Sequence, residues 1–131
     1  MNEVIIYNWN NTITDDDIVW HFGDFSICGA NKTREIINKL KGRKRLIKGN
    51  HDKQTKSFWL KTGFEEYYSE PVDFGNYVMS HEPIYDSKKP NVCAHVHSQI
   101  HKLNPKIHKC VSVEVTGYKP VLLDGILKEW F

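Results

Sequence analysis

Four short strand-like runs in this chain end the same way, and that shared ending constrains the fold more than any other feature. Ile18 to Phe22 opens into Gly23-Asp24. Arg43 to Lys48 opens into Gly49-Asn50-His51-Asp52. Tyr77 to Ser80 runs into His81-Glu82, and the run starting at Val92 carries Ala94-His95-Val96-His97. Amide, imidazole and carboxylate groups therefore collect at strand C-terminal ends, where open α/β sheets bind ligands.

Between the first two runs, Asn31 to Leu40 reads as a helix. Asn31 is the expected N-cap, Ile36, Ile37 and Leu40 are its apolar face, and Gly42 is the expected C′ glycine. Strand–helix–strand implies a parallel pair with the helix packed across it. Glu3 to Asn11 reads as an earlier helix, with Val4, Ile5, Tyr7 (or Ile6) and Trp9 sharing a broad apolar face. Thr14 to Asp17 is a turn. In the second half, Lys56 to Lys61 reads as a short helix. Glu66 to Ser69, Tyr77 to Ser80, Val92 to His95 and Cys110 to Val115 read as strands of mixed pairing, and Leu122 to Trp130 as a closing helix. The expected class is α/β, in a single domain over all 131 residues.

Composition narrows the function classes. Hydrophobic residues form 40% of the chain, with Trp 4, Tyr 6 and Phe 6, which is enough for a core. The formal net charge of +2 favours neither a nucleic-acid coat nor a membrane-surface protein. The basic run Lys39, Lys41, Arg43, Lys44, Arg45 and Lys48 reads first as a solvated helix end and turn, and second as a phosphate-facing patch. Cys28, Cys93 and Cys110 form no Cys-x-x-Cys pair, which argues against a disulfide framework and a zinc knuckle. With no signal peptide and no long apolar span, a cytoplasmic setting without membrane contact is expected.

Hydrolysing a phosphate ester requires an activated water, neutralised phosphoryl oxygens and a proton for the leaving group. Asp24 supplies a carboxylate at one strand end, Asn50 an amide oxygen at the next, and His81 an imidazole at a third. His95 and His97 stand at i, i+2, which in extended chain puts both rings on one face. Taken singly, each has an ordinary structural explanation as a turn, cap or packed residue. Their order and matching strand-end contexts carry the argument. His21 lies on the face of its strand opposite Asp24 and reads as packed. His101 and His108 flank a loop and have no assigned role.

In this order the motifs resemble those of the calcineurin-like metallophosphoesterases, above all the small single-domain forms of bacteria and phages. The family pattern is Asp-x-His, Gly-Asp, Gly-Asn-His-Glu/Asp, a lone His and Gly-His-x-His. Four of the five blocks are present, and the likeness covers nearly the whole chain, through Gly117-Tyr118-Lys119-Pro120-Val121. The resemblance implies a four-layer α/β/β/α sandwich with metals at the strand ends. Asp24 would bridge two metals, Asn50, His81 and His95 would complete one shell, and His97 would join the other. His51 would face the scissile phosphate and help protonate the leaving group, with Asp52 orienting it.

The Asp-x-His block is absent, so the resemblance implies a missing first strand beside Ile18 to Phe22 and an impaired first metal site. Asp15, Asp16 and Asp17 do not replace the lost carboxylate, because the strand between them and Asp24 spans about 20 Å. Ala94 stands where the family has Gly, which is costly only if that position needs positive φ. The unpaired strand edge suggests a homodimer.

The expected function is a metal-dependent phosphoesterase acting through metal-bound hydroxide on a phosphate mono- or diester, nucleotide-like in character. Its cofactor would be manganese, iron, zinc or nickel, two ions in the family and one or two here. Loss of one Lewis acid implies a rate lower by roughly a hundredfold or more. The alternative is a degenerate domain that binds a nucleotide, a phosphorylated ligand or a protein partner without turnover. A third reading is nucleic-acid binding through the basic run.

Overall fold

The computed structural model describes residues 3–25, 29–50, 52–95, 103–112 and 116–131. In chain order its elements are α1 (Glu3–Thr12), β1 (Ile18–His21), α2 (Ala30–Lys39), β2 (Arg43–Ile47), α3 (Lys56–Thr62) and β3 (Phe64–Tyr68). There follow β4 (Val72–Asp73), β5 (Val78–Met79), β6 (Asn91–Cys93), β7 (His108–Cys110) and α4 (Leu123–Leu127). They form a mixed α/β structure with two sheets, ordered β1-β2-β3 and β4-β5-β6-β7.

The first sheet is parallel, as the strand–helix–strand pattern requires. Its register pairs Ile18 with Arg43 and His21 with Leu46. Gly23 and Gly49 lie two and three residues beyond that last pair, so both loops leave the sheet at the same edge. β1 is at the end of the strand order, with β2 as its partner among the described strands. Asp17 accepts the Arg43 amide at 2.7 Å at the start of β1, which puts Asp15 to Asp17 at the opposite edge from Asp24.

Side-chain alternation divides the interior in two. On β1 and β2, Val19 and Leu46 face a core with Trp9, Phe25, Ile36, Ile37, Leu40, Trp59 and Phe64, contributed largely by the helices. Trp20 and Ile47 face the other way, into a second core with Met79, Val92 and Ile126. Burying side chains such as Leu46 and Ile37 contributes about 1.5–3 kcal/mol each. The first sheet thus packs on helices with one face and meets residues of the second sheet with the other.

The second sheet is mixed. β4 and β5 are antiparallel, joined by a turn in which Tyr77 accepts the Phe74 amide at 2.9 Å. β5, β6 and β7 run parallel, with Met79 beside Val92 and Cys93 beside Cys110. Ser80 and Ala94 continue the ladder with bonds to Val92 and His81, so the segments after β5 and β6 leave the sheet side by side.

Several expectations are corrected. The α2 N-cap is Gly29, and the Asn31 side chain instead accepts from Arg34. Leu40 is the C-cap, so Gly42 (φ 98°) lies one residue past the expected C′ place. In α1, Ile6 and Trp9 face the core while Val4 and Tyr7 are exposed, because only the former spacing points toward Ile13 and α2. β6 stops at Cys93, and β7 begins at His108, where Asn91 already bonds to Ile107. The two-residue β4 carries too little pattern to be read from sequence. The proposed strand residues 113–115 lie outside the described part.

Candidate metal centre

Asp24, His81 and His95 come from the ends of three strands in two different sheets. One ligand atom from each lies within 4.8 Å of the other two. Nε2 of His81 is 3.4 Å from Oδ2 of Asp24 and 3.1 Å from Nδ1 of His95. With metal–ligand bonds of about 2.1 Å, neighbouring ligand atoms lie about 3.0 Å apart in an octahedron and about 3.4 Å apart in a tetrahedron. The observed spacings match such an edge, and a carboxylate with two imidazoles is a donor set suited to a divalent transition metal.

His81 is oriented for this role. It is buried, and Nδ1 lies 2.6 Å from the carbonyl oxygen of Phe22. A carbonyl only accepts, so Nδ1 carries a proton, and Nε2 is the ring nitrogen turned toward Asp24 and His95. Sequence reasoning missed this contribution of Phe22, since a backbone carbonyl has no sequence signature.

The backbone is strained where the ligands sit. Among described residues other than glycine, positive φ occurs at Asp24 (53°), His95 (65°) and Tyr118 (61°). Two of these three are candidate ligands, and such strain concentrates at functional sites. The positive φ at His95 departs from the extended backbone expected at that residue, while Val96 and His97 lie outside the described residues. Ala94 is outside the positive-φ set, so alanine is benign at that place.

The two strand-end loops touch through glycines. A Cβ on Gly23 (φ 101°) would lie 2.5 Å from the Gly49 nitrogen and 2.7 Å from Nδ1 of His81. A Cβ on Gly49 would overlap the Asp24 amide and lie 2.5 Å from its Oδ1. Asp52 closes the contact. It is fully buried, with Oδ2 accepting the amides of Asp24 (2.7 Å) and Gly49 (2.8 Å), and Oδ1 that of Phe25 (2.7 Å). Burial pushes its carboxyl above the ordinary range, opposed by those three donors and reinforced by the nearby charge of Asp24.

Asn50 is exposed on the turn after Gly49. His51, His97, Cys28 and His101 lie outside the described residues. His21 packs between Trp9 and Phe25, with ring centroids at 6.3 and 5.0 Å, as its place on the strand predicted. Burial brings its pKa down to about 4, with the Asp24 charge opposing and His81 adding to the fall. His108 is buried away from the ligand cluster, between the Ile84 carbonyl and the Asn104 amide.

Half of the basic run is matched locally. Arg43 pairs with Glu65 at 2.9 Å, and Arg45 reaches Glu66 at 3.2 Å. Lys44 is buried with Nζ on the carbonyls of Leu40 and Gly42, and desolvation lowers its pKa. No helix among the described residues is long and apolar enough to cross a membrane.

Fold and cluster together define an α/β protein with a candidate site for a divalent metal. No protein-family model matches the chain. It is 35% identical over 141 aligned positions to the uncharacterized protein MJ1445 of Methanocaldococcus jannaschii, across 98% of this chain and 74% of that protein. The chain belongs to the family of that protein. Its fold is similar to the crystal structure of AQ665 from Aquifex aeolicus, a protein of unknown function, with a TM-score of 0.68 and 25% identity over 96% of this chain and 83% of the other. A partial likeness to the Pseudomonas putida nuclease MPE covers 61% of this chain and 44% of that one, with a TM-score of 0.42 and 21% identity.

Proposed function

We propose that this chain is a single-domain, metal-dependent phosphoesterase of the calcineurin-like class, built as that family's four-layer sandwich, and that it hydrolyses a phosphate mono- or diester. The observation that carries this reading is the convergence of Asp24, His81 and His95 from three strand ends. The local strain at Asp24 and His95 supports it further.

In this reading Asp24, His81 and His95 hold one divalent cation, with Asn50 as a further ligand, and His97 would belong to the other metal position. The cation would supply Lewis-acid stabilisation of the phosphoryl oxygens and a lowered pKa for water. The chain's own residues do the rest. The Phe22 carbonyl holds His81 in the tautomer that leaves Nε2 free to ligate. By the family resemblance, His51 would face the phosphate and help protonate the leaving oxygen. Asp52 supports the loop that carries His51.

The test is hydrolysis of bis(4-nitrophenyl) phosphate and 4-nitrophenyl phosphate with added manganese, beside His51→Ala. Turnover that needs the metal and is lost in the variant is expected. Nucleotide binding with no turnover in either protein would favour a binding domain instead.

A further inference from the structure

Resting on the metal-site reading above, we infer that Asp52 is a positioning residue for the metal centre, acting through the backbone that carries Asp24. Its carboxylate collects amides from both strand-end loops: Asp24 and Phe25 after β1, and Gly49 after β2. Asp24 itself sits at φ 53°. A left-handed conformation costs a residue other than glycine about 1–3 kcal/mol, and it persists only where surrounding structure enforces it. Bonds from amides to a charged acceptor are among the stronger hydrogen bonds. Two of these three amides belong to Asp24 and the residue after it, so the clamp acts where the strain is held.

The direction of the effect follows from the geometry. With its amide and that of Phe25 fixed, Asp24 has its carboxylate over Gly49, and Oδ2 lies 3.4 Å from Nε2 of His81. Release of those amides frees the Asp24 backbone to relax toward ordinary φ, which swings the carboxylate away from His81. Asp52 thereby sets metal affinity without touching the metal.

Asp52→Asn is the first variant. It keeps one carbonyl oxygen but turns an NH2 group toward backbone N–H donors. Manganese affinity is measured by calorimetry, and Tm with and without manganese. Weakening of the manganese Kd by about tenfold or more is expected, with a smaller metal-induced rise in Tm. An unchanged Kd, with both Tm values lowered equally, overturns the proposal, because a purely structural residue would act that way.

Amide hydrogen exchange in the metal-free wild-type protein is the second measurement and needs no variant. Protection at Asp24, Phe25 and Gly49 above that of Asn50 and Lys53 supports the clamp even if Asp52→Asn does not fold. Rapid exchange at those three amides overturns it. Absence of any manganese response in the wild type overturns the metal reading and this proposal with it. That failure is distinct from the clamp's own, because amide protection is read without metal.

Discussion

Nε2 of His81 stands 3.1 Å from Nδ1 of His95, although the two residues belong to different strand ends and lie fourteen positions apart. Two imidazoles this close, with a carboxylate on the same nitrogen, are well placed to share a cation. His81→Ala should therefore weaken manganese binding by more than the roughly 10–100-fold that loss of an outer partner costs. His108→Ala is the control. It removes a buried ring bonded to Ile84 and Asn104, and should lower stability by about 1–3 kcal/mol while leaving affinity unchanged. Calorimetric titration of both variants checks this, and equal affinities would contradict it.

His21 should make stability depend on pH. Its pKa falls from 6.5 to about 4 on folding, so between those values the unfolded chain binds more protons than the folded one. Stability should rise with pH through that window and be lost as pH falls, by up to about 3 kcal/mol for this group. The Gly23 amide on Nδ1 of His21, at 3.2 Å, fits the neutral ring. Denaturation of the metal-free protein from pH 4 to 7, beside His21→Phe, checks the sign. Parallel profiles for the two proteins would refute the assignment.

Gly49 should tolerate no side chain. Alanine there would drive a methyl into the Asp24 amide and carboxylate. Overpacking of that kind costs about 1–3 kcal/mol, and here it also displaces a ligand. Gly49→Ala should lower both Tm and manganese affinity. Gly29, where a Cβ would meet nothing within 4 Å, is the control position. Comparable losses at both positions would count against the close loop contact.

Cys93 should be unreactive in the folded protein. It is fully buried, and its thiol is pushed up to about 12, chiefly by burial. Thiolate is the reactive form, so a disulfide reagent at pH 8 should modify Cys93 only after denaturant is added. Peptide mapping of the labelled sites reads this directly, and rapid native labelling of Cys93 would contradict it.

The parallel β1–α2–β2 unit was legible because an amphipathic helix between two apolar runs leaves little topological choice. Asp24, His81 and His95 were legible for a related reason, since each follows a strand and its polar side chain has no burial role within one. The Phe22 carbonyl and the amides on Asp52 were not legible, because backbone partners leave no trace in side-chain identity. The left-handed turn at His95 was missed since histidine, unlike glycine, does not advertise positive φ. Asn31 was misplaced as a cap because the chain turned into the helix earlier, at Gly29.

The most direct test of the central claim is an anomalous difference map from crystals grown with manganese. A peak about 2.0–2.4 Å from an Asp24 carboxylate oxygen, Nε2 of His81 and Nδ1 of His95 is the predicted result. A map with no peak between those three side chains, at saturating manganese, would contradict the account.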